Sequence, residues 1–213
     1  MLRESMSVRK SSAVCTVFLI FAVSLFSESF SFKGDKLETV LAKGKERTIL
    51  TGNVQIVSDE NLISADKVEL YGKDFTFVQC SGNVDVKNEK RGIHLISENL
   101  FYNRKEKVVR VQGKAVMEDK KNEIVAKGGF LEDWENDEIT IIQIGVRILK
   151  KDLVCRSEFA RYIRKDNRLE LSGMPVVFYK GDEYRASKIF IDLDSNKIKL
   201  VGEIKGKIIS ENE

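Results

Sequence analysis

The chain has 213 residues, of which 42% are hydrophobic and 32% are charged. This composition is too apolar for a disordered protein, and the length suits one domain with a hydrophobic core plus a targeting segment. Basic and acidic residues number 36 and 33, so no strong excess of positive charge suggests a nucleic-acid-binding protein. Proline occurs once, and many β-strands can therefore form without an interrupted hydrogen-bond ladder.

The N-terminus has the pattern of an export signal. Three basic residues within the first ten are followed by an uncharged apolar run over 13–26, and small residues then offer a cleavage site. This run of 14 residues is shorter than the roughly 20 that span a bilayer. We therefore predict a cleaved signal peptide over 1–29, with a retained membrane anchor as the alternative, and an exported domain over 30–213.

Glycine recurs at nearly constant spacing along the predicted domain, with successive gaps of 30, 31, 32, 28 and 29 residues. The glycines of this series are Gly52, Gly82, Gly113, Gly145, Gly173 and Gly202. A second motif lies between them, since Ala65–Leu70 (ADKVEL) is matched by Ala186–Ile191 (ASKIFI). Charged turns close each unit. A period of this length predicts a repeat architecture in which each unit stacks on the next.

Within each unit, apolar residues alternate with polar ones at period two, which predicts β-strands with one buried face. A turn signal about every ten residues predicts a dozen or more antiparallel strands. Glycine inside a strand-like run predicts a kink at which the strand bends. The predicted fold is therefore all-β: an open β-jelly roll, or folded-over solenoid, of stacked antiparallel strands from repeats of about 30 residues. A right-handed β-helix is the competing architecture.

The alternation assigns one set of apolar side chains to the interior. The predicted inward-facing residues are Val54, Ile56, Ile63, Val68, Leu70, Val84, Val86, Ile96, Leu100, Tyr102, Ala115, Met117, Ile124, Phe130, Val177, Tyr184, Ile189 and Ile191. These residues either fill a dry core or line an apolar channel, and the sequence does not separate the two. The first layer (37–41) and the last (198–204) are predicted to be sheet edges to which a partner can add a strand.

No set of residues suited to catalysis or metal binding emerges. The single histidine, His94, cannot form a metal cluster, and neither Cys80 nor Cys155 has a histidine near it in sequence. The acidic pairs 132–133 and 137–138 are predicted to be solvated in a polar turn. We interpret the two cysteines as small buried core residues, with a disulfide as the alternative.

The repeated motifs resemble those of the OstA-like family of lipopolysaccharide-transport proteins, which includes LptA, LptC and the periplasmic part of LptD. The resemblance extends over about 32–207. Its motifs lie at 50–54 with 65–71, 81–86, 111–117 and 184–191. It implies a non-enzymatic periplasmic protein without a cofactor, an open β-jelly roll whose apolar groove holds the acyl chains of lipid.

The resemblance also implies the ligand, the partners and the contact residues. The implied partners are lipopolysaccharide or another envelope lipid, other OstA-like components bound through edge strands, and copies of the chain stacked head to tail, with no nucleic acid among them. Together they would bridge the inner and outer membranes. The implied lipid-contacting residues are Val54, Ile56, Ile63, Val68, Leu70, Val84, Val86, Ile189 and Ile191.

The sequence departs from the family pattern at two places. The residues after Gly145 fall in a shifted phase, and Arg156 takes the place of Ala65 and Ala186. Two alternative functions also remain: an inner-membrane-anchored component resembling LptC, in which 13–26 stays as the anchor, and a structural β-solenoid of the cell envelope that binds no lipid.

Overall fold

A computed structural model describes residues 30–58 and 61–209, which form sixteen β-strands and two short 3₁₀ turns. The predicted signal peptide lies outside the described residues. The strands are β1 (Phe30–Lys33), β2 (Lys36–Val40), β3 (Arg47–Ser58), β4 (Asn61–Tyr71), β5 (Phe77–Asn88), β6 (Ile93–Asn103), β7 (Val108–Asp119), β8 (Ile124–Trp134), β9 (Ile139–Lys150), β10 (Leu153–Ile163), β11 (Arg168–Ser172), β12 (Val176–Tyr179), β13 (Asp182–Arg185), β14 (Lys188–Asp192), β15 (Lys197–Val201) and β16 (Lys205–Lys207). The 3₁₀ turns are Lys73–Phe75 and Arg164–Asp166.

The strands form a single antiparallel sheet in which β3 to β11 follow one another in chain order. Both strands β1 and β2 pair with β3, and β15 and β16 pair with β14 and β13. The all-β fold of stacked antiparallel strands is thus confirmed, and the β-helix, which needs parallel strands, is excluded. Among the described residues, β1 with β2 and β15 with β16 form the two ends of the sheet.

Each long strand of odd number bends at a pair of residues with left-handed backbone. Gly82 and Asn83, in the middle of β5, have φ angles of 74° and 47°. Glycine adopts this conformation at no steric cost, and asparagine tolerates it better than most residues. The strand ladder skips the pair, which makes a bulge that turns the strand. The equivalent pairs are Gly52–Asn53, Gly113–Lys114, Ile144–Gly145, Gly173–Met174 and Gly202–Glu203.

A polar side chain from the preceding strand or turn lies over the glycine at every bend except the one at Ile144–Gly145. The Asn83 amide donates a hydrogen bond to Asp66 Oδ2 at 2.9 Å, and a methyl group added to Gly82 would lie 2.9 Å from Asp66 Cγ. Only glycine therefore fits beneath the carboxylate. The equivalent side chains over the other glycines are Asp35 over Gly52, Glu98 over Gly113, Glu158 over Gly173 and Ser187 over Gly202.

The bends fold the sheet over so that two half-sheets face each other. Arg91 lies in the turn after β5, and Asp133 lies near the far end of β8, which is 11 residues long. A flat sheet would hold these ends about 35 Å apart, at about 3.3 Å per residue. Instead Arg91 Nη2 donates to Asp133 Oδ2 at 2.9 Å. The fold is an open β-jelly roll. The bends line up along its closed edge, and a slit runs along the opposite edge, where the turns from both ends of the strands meet.

Most of the predicted inward-facing residues lie in one hydrophobic core between the half-sheets, and Val86 and Tyr184 are partly buried against it. The prediction is wrong at Ile96, which is 45% exposed, and at Phe130, which is only partly buried while Leu131 is buried. In β6, the inward residues are Leu95 before the bend and Leu100 after it. At the bend, the alternation in the even-numbered strands thus switches by one residue. The prediction followed this switch in β4, with Ile63 and then Val68, but kept a single phase in β6 and β8.

The residues after Gly145 are shifted by one place relative to their glycine, because the bend of this repeat begins one residue earlier. Ile144, with φ 67°, occupies the position that glycine holds in the other repeats, and Gly145 follows as the second left-handed residue. Val146 is consequently buried, in the position equivalent to Val54. Gly129 takes the place of the acidic side chain, and a methyl group there would lie 3.0 Å from Ile144 Cγ2. The larger side chain of Ile144 is thus accommodated by the missing side chain of Gly129.

The assignment of Arg156 to the position of Ala65 is also wrong. Ser157, which is buried, occupies that position next to the bend of β10. Arg156 points outward, is exposed, and lies over the ring of Phe178 at 5.7 Å. No charged side chain therefore enters the interior at this layer.

The bend predicts a specific sensitivity to substitution. Replacement Gly82→Ala is expected to lower the free energy of unfolding by at least about 2 kcal/mol, because the methyl group is strained at positive φ and overlaps Asp66. Gly44→Ala is the control, since φ is 79° there but no atom lies within 4 Å; it should cost only about 1 kcal/mol. Chemical denaturation measures both, and equal losses would contradict the role of the carboxylate.

Candidate functional site

The nine residues implied as lipid contacts fall into two groups on the inner faces. Seven of them form one patch across β3, β4 and β5, where Ile56 lies opposite Ile63 and Ile63 lies opposite Val86. The other two, Ile189 and Ile191, lie far along the sheet on β14. All nine except Val86 are buried. Their contact with lipid stays a prediction.

The centre of the jelly roll is filled by its own side chains. Val111, Leu131, Ile142, Ile148 and Cys155, from β7 to β10, have no exposed surface. Facing side chains from the two half-sheets therefore pack against each other as in an ordinary protein core. Any long apolar ligand in these layers has to displace such contacts.

A small cavity of about 40 Å³ lies between the half-sheets at β4 to β8. Its volume holds a few water molecules but no acyl chain. Its apolar walls are Ile63, Val86, Ile93, Leu95, Leu100, Tyr102, Val109 and Met117. Its polar rim, at the slit, is Asn61, Asn88, Arg91, Asp133 and Glu135. The cavity touches the seven-residue patch through Ile63 and Val86.

An ion-pair cluster, which we name the Arg91 clasp, closes the slit over this cavity. The slit has two lips, which are the two rows of turns at the opposite ends of the strands: 89–92, 120–123 and 151–152 form one, and 104–107, 135–138 and 164–167 form the other. The Arg91 guanidinium lies 2.9 Å from Asp133 Oδ2 and 3.1 Å from Glu135 Oε1 on the opposite lip. Thr140 donates to Asp133 at 2.6 Å, and Tyr102 donates to Glu135 at 3.3 Å. Burial opposes the charge of Arg91, but the two carboxylates outweigh it and raise its pKa. Burial also raises the pKa of Glu135, against the effect of Arg91.

The prediction that acidic residues 132–133 are solvated in a turn is wrong. Both lie in β8, Asp133 is buried, and Glu132 is partly buried beside Arg110. Residues 137–138 do lie exposed in the following turn. A charge signal was present in the sequence, because residues 133–138 (DWENDE) hold four acids and no base while Lys90 and Arg91 are adjacent bases. Their pairing across the slit was not visible without the fold.

A second cluster, the Asp119 clasp, joins the lips one layer further along. Arg164 Nε donates to Asp119 Oδ2 at 3.1 Å, and the Tyr162 hydroxyl and the Asn122 amide donate to the same oxygen at 3.3 and 2.9 Å. The Asp119 and Arg164 side chains are 0% and 7% exposed. Burial, and then the charge of Asp119, raise the pKa of Tyr162. The Nη1 atom of Arg164 is buried without a hydrogen-bond partner among the described residues.

The remaining candidate side chains have structural roles. Cys80 and Cys155 are free and buried, as interpreted from the sequence, and burial raises the pKa of each thiol to about 12. His94 Nε2 lies 3.0 Å from Asp85 Oδ2 on a neighbouring strand. Within 30–58 and 61–209, His, Cys, Asp and Glu form no group of three or more that could hold a metal ion. The same residues include no helix long and apolar enough to cross a membrane.

The Asp119 clasp predicts a large stability effect. Asp119→Ala is expected to lower the free energy of unfolding by about 3–5 kcal/mol, because Arg164 then keeps a buried charge without a counter-ion. The control is Asp166→Ala, which removes an exposed partner 3.9 Å from Arg168 and should cost less than about 1 kcal/mol. Urea titration compares the two, and a loss below about 1 kcal/mol for Asp119→Ala would show that the clasp does not hold the lips together.

Comparison with known proteins agrees with the predicted family. Residues 33–128 match the family model described as LptA/(LptD N-terminal domain) LPS transport protein. Among solved structures, the chain is similar to LptH of Pseudomonas aeruginosa, the LptA homologous periplasmic component of the lipopolysaccharide transport device. The sequences are 12% identical, the TM-score is 0.28, and the match covers 86% of this chain and 96% of that one. No curated protein matches the sequence.

The matched segment begins at the end of β1, includes β2 to β7 and ends inside β8, so it contains three of the bends and all seven residues of the patch on β3 to β5. Over these residues the chain matches the family of LptA and of the N-terminal domain of LptD, in agreement with the resemblance of its repeats to the OstA-like lipopolysaccharide-transport proteins.

Proposed function

We propose that this chain carries lipopolysaccharide, or a related glycolipid, through the periplasm with the acyl chains between its two half-sheets. The family match over 33–128 carries this proposal. Residues 1–29 would direct export and then be removed. The protein would act by binding and transfer, without catalysis.

The physical chemistry of the slit supports an amphipathic ligand. Each buried methylene group contributes about 0.8 kcal/mol to binding, which favours acyl chains in the apolar interior. Phosphates and sugars cannot follow, because a polar group buried without partners costs several kcal/mol. A slit along an apolar interior allows the acyl chains of a lipid to lie inside the protein while its phosphates and sugars stay in water.

The two ends of the sheet support assembly with neighbours. Strands β1 and β2 at one end, and β15 and β16 at the other, have no strand on their outer side among the described residues. Exposed apolar side chains accompany both ends, such as Leu37 on β2 and Val201 on β15. Their free backbone groups suit strand addition by other OstA-like components or by further copies stacked head to tail. Such stacking would join the interiors into a path from inner to outer membrane.

One observation favours a second candidate function, a structural solenoid of the envelope that binds no lipid. The interior at β7 to β10 is packed by its own side chains, as such a scaffold requires. A carrier needs the half-sheets to separate, whereas a scaffold does not. Labelling by lipid therefore distinguishes the two.

Photo-crosslinking tests the lipid groove. The full chain is produced in Gram-negative cells with a photoreactive phenylalanine analogue at Ile56 or Val86, which lie in the patch on β3 to β5. We expect irradiation to attach lipopolysaccharide at both positions, because acyl chains would lie against them. Gln55, on the opposite face of β3, is the matched control and should give no adduct. Equal labelling at Gln55, or none at Ile56 and Val86, would contradict the groove.

Cysteine crosslinking tests head-to-tail stacking. A chain with both Leu37→Cys and Val201→Cys, treated with a short bismaleimide, is expected to form a ladder of multimers, because one cysteine lies at each end of the sheet. Cys80 and Cys155 should not react, since both are buried with a pKa of about 12, and Cys15 is replaced by serine in all variants. A chain with Lys127→Cys, an exposed position on β8 in the middle of the sheet, is the control. Equal crosslinking of the two variants would show that the ends do not meet.

A further inference from the structure

We infer that an acyl lipid with an anionic head group loads through the slit at the Arg91 clasp, into the cavity beneath it, and that Arg91 binds the anion. This inference rests on the proposed function and specifies where on the 16-stranded sheet the ligand first binds. The Asp119 clasp marks the neighbouring part of the slit that stays closed. Four observations support this assignment.

The two clasps differ in how readily they open. The side chains of Arg91 and Glu135 are each 17% exposed and that of Asp133 is 10% exposed, so all three lie nearer to water than the Asp119 pair. The Asp119 clasp is almost fully buried, and breaking it leaves charges without partners inside the protein. Separation of the lips therefore starts at Arg91.

The interior beneath the Arg91 clasp is the looser part of the core. Val86 is only partly buried, and the cavity at this level is lined by Ile63, Leu95 and Met117. In strands β8 to β10, by contrast, core residues such as Leu131, Ile142 and Ile148 have no exposed surface. An acyl chain that widens the existing cavity breaks fewer contacts than one that enters the packed layers.

The cavity continues into the patch predicted from the sequence. Val86 lies opposite Ile63, and Ile63 lies opposite Ile56 on the next strand. A chain that enters beneath Arg91 therefore meets an unbroken row of apolar side chains towards the β1 and β2 end of the sheet. This direction also leads away from the Asp119 clasp.

The charges of the two lips determine where the head group lies. The lip of Arg91 carries Lys90, and the next turn along it carries Lys120 and Lys121, whose Nζ donates to the Lys90 carbonyl at 2.5 Å. The opposite lip holds the acidic run 133–138 and, in the neighbouring turn 104–107, three bases, so basic side chains lie on both lips near the clasp. When the clasp parts, an anionic head group can replace Asp133 and Glu135 as the partner of Arg91. Charge-assisted bonds from a guanidinium to a phosphate or carboxylate are among the strongest in proteins.

Two fluorescent probes of equal chain length test the role of Arg91: cis-parinaric acid, which is anionic, and its neutral alcohol. Arg91→Gln is expected to weaken binding of the acid by about tenfold or more, the loss of one charge-assisted bond, and to leave binding of the alcohol unchanged or stronger. Lys151→Gln is the matched control, because Lys151 is an exposed base on the same lip beyond the Asp119 clasp. It should change neither titration.

Filling the cavity tests the loading site itself. Met117→Trp on β7 places bulk in the cavity and is expected to reduce uptake of both probes by about tenfold or more. Val116→Trp, the next residue on the opposite face, is the control. Val86→Phe is the second cavity variant if circular dichroism shows that Met117→Trp does not fold.

The outcomes separate this inference from the proposed function. If the unaltered chain binds lipopolysaccharide and both probes, but Arg91→Gln behaves like Lys151→Gln or the cavity variants bind normally, the loading site lies elsewhere. If the unaltered chain binds neither lipopolysaccharide nor the probes, the proposed function fails and the inference with it.

Discussion

The bend in the middle of each strand is the constraint on which the structure depends. A left-handed residue pair turns the backbone, and a polar side chain of the preceding strand, such as Asp66, holds the glycine at the turn. Without these bends the sheet would be flat, its apolar face would stay in water, and the ends of its strands would lie about 35 Å apart. The bends therefore create the enclosed interior and the slit together. Each layer also bends its own chain, so the architecture grows by one unit per repeat.

A packed interior is compatible with the proposed transport of lipid. Replacing contacts between side chains by contacts between side chains and acyl chains exchanges one apolar environment for another, at small net cost. The larger cost arises at the slit, where ion pairs such as Arg91 with Asp133 must separate. In the proposed mode of transport, entry to the interior therefore depends more on the ion pairs of the slit than on the packing of the core. The different burial of the two clasps gives the slit a weak and a strong part.

The ends of the sheet are built differently from its middle. The first layer is divided into β1 and β2, and the last three into β11 and β12, β13 and β14, and β15 and β16, with the division at the bend, whereas the layers from β3 to β10 are continuous strands. Short edge strands with lysines, such as Lys197 and Lys199 on β15, limit unspecific strand addition while the backbone groups stay accessible. An end of this kind favours a specific partner strand over aggregation.

The sequence by itself determined the strands, the repeat and the position of the bends, because period-two alternation and glycine at positive φ are local properties of the chain. It did not reveal that Ile96 and Phe130 face outward, since a bulge shifts the alternation by a single residue, nor that Ile144 takes a glycine position. The tertiary structure alone decided the clasps. Arg91 and Asp133 are 42 residues apart and belong to opposite ends of the strands, so only the folding over of the sheet brings their charges into contact.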